Sequence, residues 1–159
     1  MKLTNGILLI AFMMTGCATK DKSGGNTADI SRPALPIAGT WKLISGTLIE
    51  KGDTTVTDYT KDISFIKIIN DTHFAFLSHN VKSAPDSAKE FDAGGGRYSL
   101  KDNTYTEHLE YCQEREWEGH DFTFTVNIKN DTLTQSGIEK VPNTGTSRLN
   151  IERYARLKN

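Results

Sequence analysis

The chain predicts an all-β fold, a single antiparallel up-and-down β-barrel of eight to nine strands behind a disordered N-terminal tether. Three observations predict it. Apolar and polar residues alternate over short runs, most cleanly where Phe122, Phe124, Val126 and Ile128 share one face and Thr123, Thr125 and Asn127 the other, the period of a strand wet on one side. Turn signals built from Gly, Asn, Asp and Pro recur between these runs at the spacing of a sandwich or barrel. Thr, Ile, Phe, Tyr and Val dominate the runs themselves, and such residues suit a pleated, half-buried surface.

The first element is not a strand. Lys2 gives a positive start, Ile7 to Met14 is an unbroken apolar run, and Met14-Thr15-Gly16-Cys17 closes it. The run is too short to span a bilayer, which takes about 20 residues, and it has the flanks of a processed leader. It resembles the lipobox of bacterial lipoproteins. That resemblance implies a signal peptide over 1–16, acylation of Cys17, and attachment of the mature chain to a membrane through its lipid. Stable anchoring needs more than one acyl chain, and such lipoproteins carry several on one residue. Residues 17–36 are rich in Lys, Ser, Gly, Asn, Asp and Pro without periodicity, which predicts a lipid-anchored tether. About 20 such residues have an r.m.s. span of roughly 25 Å, so the domain at 37–159 can stand clear of the headgroups. Lys20-Asp21 faintly resembles the surface-export signals of Bacteroidetes lipoproteins.

The leader contains one Lys and no acid, so 18 of the 19 Lys+Arg face all 20 Asp+Glu after cleavage. That mildly acidic balance, with no basic stripe, argues against nucleic acid as a partner. With Cys17 acylated, Cys112 is left without a disulfide partner. A small buried apolar residue and a reactive or ligand-contacting thiol are both compatible with it.

Within 37–159 the runs follow in order. WKLISGTLIE ends at Lys51-Gly52-Asp53, TTVTDY is a candidate ninth strand, ISFIKII ends at Asn70-Asp71, and THFAFLSH ends before Asn80. After a loop come GGGRYSL, ending at Lys101-Asp102-Asn103, then TYTEHLEY, a charged stretch, and DFTFTVNIK, ending at Asn130-Asp131. DTLTQSGIE and SRLNIERYARL complete the series. Short Asp/Asn turns between neighbours imply hairpins, and closure into a barrel removes the open edges.

Gly39-Thr40-Trp41 on the first strand, with Arg153 or Arg156 on the last, resembles the lipocalin or wider calycin pattern. The resemblance implies an indole packed across the closed end of the barrel with an arginine lying over it, a stacking geometry that suits guanidinium. The run from GTWKLIS through THFAF, GGGRYSL and YTEHLEY to Tyr154-Ala155-Arg156 is similar to small lipocalin-like lipoproteins of Bacteroidetes. Such proteins would sit in the cell envelope, as outer-membrane lipoproteins facing the periplasm or the cell surface. The paired cysteines and longer loops of large ligand carriers are missing from this chain.

In TYTEHLEY, regular alternation puts Tyr105, Glu107, Leu109 and Tyr111 on one face, a mixture that looks like a cavity lining. A buried Glu107 needs a counter-ion, and Arg97 or Arg156 is the candidate. Arg97 and Tyr98 must face opposite ways, and the triple glycine before them allows a bulge or a close backbone approach. The residues expected to bind a small hydrophobic or amphipathic ligand are therefore Phe74, Phe76, Arg97, Tyr105, Glu107, Tyr111, Phe122, Phe124 and Tyr154. A second reading, an envelope protein-interaction or inhibitor module, rests on the charged loop Glu114 to His120 with Trp117 expected to be exposed. A third is a calycin-like enzyme in which Glu107 works with Tyr105 or Tyr111 as an acid–base pair. No nucleophile or phosphate-loop motif occurs, no cofactor is implied, and no metal is expected, since His73 and His79 lie about 20 Å apart on a strand.

Overall fold

The computed structural model describes residues 35–81, 91–142 and 144–158. The leader, Cys17 and most of the tether lie outside the described residues. Nine strands run antiparallel: β1 (Gly39–Glu50), β2 (Asp53–Asp58), β3 (Ile63–Ile69), β4 (His73–Asn80), β5 (Phe91–Lys101), β6 (Thr104–Cys112), β7 (Asp121–Lys129), β8 (Thr132–Val141) and β9 (Thr146–Arg156). Strands β3 to β9 pair in chain order, and β1 pairs with both β3 and β9. That closes an eight-stranded antiparallel barrel. β2 is the ninth strand, folded back beside the second half of β1 from Ser45 to Glu50.

The hairpins follow from their turn residues. Asn130 and Asp131 both take positive φ, 49° and 56°, as a two-residue turn matched to strand twist demands, and these are the residue types that tolerate it best. At Lys51-Gly52 the same geometry (53° and 90°) turns β1 into β2.

Two ends result. At one, Trp41, Leu43, Ile69, Phe74, Tyr105, Val126 and Leu133 form a buried core. The Trp41 indole donates to the Ile37 carbonyl at 2.8 Å, and the Arg156 guanidinium lies 4.0 Å from the indole centroid. Arg156 also donates to the carbonyls of Ala38 (2.8 Å) and Pro36 (2.6 Å). Of the two candidate arginines, Arg156 takes this place. Arg153 is exposed on the outer face, because its neighbour Tyr154 points inward and a strand alternates.

At the other end the barrel opens. β6 and β7 pair only from Thr104 to His108, beyond which the two strands part. A 3₁₀ turn at Arg115–Trp117 fills the gap, held by the Gly119 N–H on the Leu109 carbonyl at 2.7 Å and by the Cys112 N–H on the Glu118 carboxylate at 3.0 Å.

Candidate functional site

The open end contains a cavity of about 290 Å³. Its floor is a buried polar cluster. Lys67, 3 % exposed and projecting from β3, donates to Glu107 of β6 at 2.8 Å and to Gln135 of β8 at 3.3 Å. The ammonium also lies 5.4 Å from the Tyr154 ring centroid and 5.7 Å from that of Phe74. A buried pair of this kind is tolerable only when hydrogen bonds satisfy both partners. Burial opposes the Lys67 charge, yet the fields of Glu107, Glu152 and Glu139 outweigh it and hold its pKa above the ordinary lysine value. Lys67 is therefore a cation at neutral pH.

A second polar cluster climbs the wall from β8 and β9. Glu139 accepts from Arg148 at 2.7 Å and from Asn150 at 2.8 Å, and Glu152 accepts from the Tyr154 hydroxyl at 2.8 Å. The opposite walls are aromatic. Phe65 stacks on Phe76 with centroids 5.7 Å apart, and Tyr59 meets Phe65 edge-on. Trp117 leans over the mouth, 5.4 Å from Phe122 and beneath the Arg148 guanidinium at 5.1 Å.

Of the nine residues expected at the site, Phe76, Glu107, Phe122 and Phe124 line the cavity. Phe74, Tyr105 and Tyr154 are buried in the core, with Phe74 and Tyr154 beside the Lys67 ammonium. Two lie outside. Tyr111 is 70 % exposed, because Gly95 pairs with Tyr111 while Gly96 pairs with Leu109. The extra residue, Glu110, is a bulge that inverts the alternation beyond it, so Cys112 faces the cavity in place of Tyr111. Gly96 makes the bulge possible: a Cβ there would meet the His108 carbonyl and the Glu110 N–H. Arg97 also faces out, bonding Glu110 at 2.6 Å, and Tyr98 takes the inward position. The counter-ion of Glu107 is accordingly Lys67, and neither Arg97 nor Arg156 serves that role.

Trp117, expected to be exposed, is half-buried and lines the cavity. Cys112 is a free thiol at the wall, its pKa raised by burial and by nearby Asp92, Glu114 and Glu118, so it is a poor nucleophile. The lining residues missed by sequence reasoning include Tyr59, Phe65, Lys67, Asp92, Gln135, Glu139, Arg148, Asn150 and Glu152. A signal for Lys67 was present: it interrupts ISFIKII with Phe65 and Ile69 two positions either side, the spacing of one strand face.

Among the described residues, the buried Tyr105 hydroxyl has no hydrogen-bond partner. Burial and the fields of Glu107 and Glu152 push its pKa far above the usual tyrosine value, and Tyr154 shifts the same way through burial and Glu152. Both phenols stay protonated at every physiological pH, whereas an acid–base catalyst needs a pKa near the working pH. Among the described residues, no group of three or more His, Cys, Asp or Glu side chains is placed to hold a metal ion.

Fold and site together define a closed antiparallel barrel with a mixed polar and aromatic cavity at its open end. No family model and no curated protein matches the chain. Among solved structures, the crystal structure of a mutant of the fluorescent protein UnaG is similar, with 10 % identity over 77 % of this chain and 97 % of that one, at a TM-score of 0.36. The barrel assignment rests on the strand pairing of this chain itself.

Proposed function

We propose that this protein binds a small, partly apolar molecule inside the barrel while held at a bacterial envelope membrane by lipid on Cys17. The observation that carries the reading is the 290 Å³ cavity with aromatic walls and a fixed polar floor. Barrels of about eight strands are either filled by side chains or left able to hold one small ligand, and apolar walls with a few placed polar groups are what ligand sites use. Phe76, Phe122 and Phe124 supply contact area, and the polar side chains that line the cavity orient the polar end. The neutral fluorescent probe N-phenyl-1-naphthylamine tests the reading on the full chain. Saturable binding is expected, and Leu48→Trp, which fills the cavity from β1, should abolish it. Binding unchanged by that substitution would move the site elsewhere.

The anchor rests on the Met14-Thr15-Gly16-Cys17 resemblance and has its own test. Cys17→Ala should shift the protein from the membrane to the soluble fraction, and retention would refute lipid as the sole attachment. Capture of an envelope protein is a second reading, now favoured by the outer face of β4 to β6, where Leu77, Phe91 and Tyr111 are exposed, and no longer by Trp117. Cross-linking in cells through a photoreactive residue at position 111 tests it: a discrete protein adduct supports capture.

A further inference from the structure

The charges around the cavity are unbalanced. Asp92, Glu107, Glu114, Glu139 and Glu152 line it, against Lys67 and Arg148, a formal excess of three negative charges. Both cations are already committed, Lys67 to Glu107 at 2.8 Å and Arg148 to Glu139 at 2.7 Å. Asp92, Glu114 and Glu152 form no salt bridge among the described residues, although the field of Glu152 reaches Lys67. Asp92 and Glu114 are exposed, while Glu152 is half-buried, so the unpaired carboxylates run from the mouth inward. The three act on one region. Asp92 and Glu152 both disfavour ionisation of the half-buried Tyr59, and Glu114 adds to burial in raising the pKa of Asp92.

The second feature is independent of charge. Tyr59, Phe65, Phe76, Trp117 and Phe122 contribute aromatic lining to the same space. An aromatic face attracts a cation and suits an aliphatic or aryl body, and aromatic cages are a recurrent way to hold ammonium groups. Arg148 lies over the Trp117 ring at 5.1 Å, so an aromatic group of the lining already accommodates a cation. An anionic ligand would meet unpaired carboxylates in a partly desolvated space, where repulsion is strong.

We propose that the cavity takes a small organic cation, an amine or quaternary ammonium with an apolar body, whose head is held by Glu152 with Asp92 and Glu114 and whose body lies against the Phe65–Phe76 wall. The proposal deepens the ligand-binding reading and depends on it. It gives Glu152 the charge-selecting role and leaves Lys67 a structural cation that fixes Glu107.

Three ligands of one shape test it: 4-phenylbutylamine, 4-phenylbutanol and 4-phenylbutyrate, titrated into the full chain by calorimetry, with Trp117 fluorescence as a second readout. The amine should bind at least about tenfold tighter than the alcohol, the gain expected from one charged hydrogen bond, and the carboxylate more weakly than the alcohol. Glu152→Gln still accepts from Tyr154 but loses the charge, and should lower amine affinity by about tenfold while leaving the alcohol unchanged. Asp92→Asn, on the exposed mouth, should act in the same direction with a smaller effect. Added salt should weaken the amine alone.

Equal affinity for amine and alcohol, or tighter binding of the carboxylate, would overturn the cation assignment while leaving the cavity reading intact. Failure of all three to displace a bound N-phenyl-1-naphthylamine would do the same. If the neutral probe does not bind either, both readings fall.

Discussion

The two ends of the barrel are built from the same strands and do opposite things. At the end holding Trp41, inward positions are filled by Leu43, Ile69, Phe74, Val126 and Leu133, all at most 3 % exposed, and the last polar groups there are spent on closure by Arg156. At the other end the same strands turn Gln135, Glu139, Asn150 and Glu152 inward and leave space between them. The difference teaches how one set of strands supports a close-packed end and an open one. Close packing and a capped indole stabilise one end, and the open end tolerates a cavity because its most deeply buried polar side chains, Lys67 with Glu107 and Gln135 and Glu139 with Asn150, bond one another. The Lys67–Glu107 pair marks the boundary.

The largest expected effect breaks the closed end. Trp41→Ala removes a fully buried indole and should cost about 3–5 kcal/mol, read by urea unfolding. The open-end counterpart, Phe76→Ala, removes a half-buried ring facing a cavity. It should cost about half as much or less, yet weaken probe binding. Equal losses of stability would erase the distinction between the ends.

At the boundary, Lys67→Met strands the Glu107 carboxylate in the interior and should cost about 3–5 kcal/mol. Adding Glu107→Leu should recover most of that, because a buried pair replaced by apolar groups is often neutral. A double variant as unstable as the single one would show that the floor's role is packing and not charge.

Alkaline titration sharpens the same boundary. The folded pKa of Tyr105 and of Tyr154 is raised, mainly by burial, so each phenol contributes stability fully present below the unfolded value near 10 and lost as pH rises above it. Lys67, also raised, acts in the same direction from its own ordinary value upward. Stability should therefore fall above about pH 10, by about 1.4 kcal/mol per pH unit for each tyrosine that ionises only on unfolding. Tyr154→Phe should reduce the slope by one such group, as circular dichroism melts between pH 8 and 11 would record.

Arg156→Ala should cost about 1–2 kcal/mol, from a lost cation–π contact and two uncapped carbonyls, without changing probe affinity. The smallest effect belongs to Tyr111→Ala. With its ring on the outer face, stability should move by less than about 0.5 kcal/mol and ligand affinity not at all. A drop in probe binding would restore Tyr111 to the cavity.

By itself, the sequence determined the strands, the turns and the closed end of this protein. Alternation, β-rich composition and Asn/Asp turns are local properties, each decided within a few residues, and the resemblance carried by Gly39-Thr40-Trp41 implied the indole at the closed end and left its cover between Arg153 and Arg156, a choice the structure made for Arg156. Glu107, Phe122 and Phe124 also followed, because the faces of β6 and β7 differ plainly in polarity, and Phe76 followed from the alternation of β4. Tertiary structure alone decided the rest. In SRLNIERY both faces mix polar and apolar residues, so nothing local says that Arg148, Asn150 and Glu152 point inward while Leu149 and Ile151 point out. That choice is made by pairing with β1 and β8. The bulge at Glu110, enabled by Gly96 from a neighbouring strand, then reversed Tyr111 and Cys112. Lys67 met Glu107 across 40 residues of chain, and a period of two fixes which residues share a face without saying which face becomes the interior.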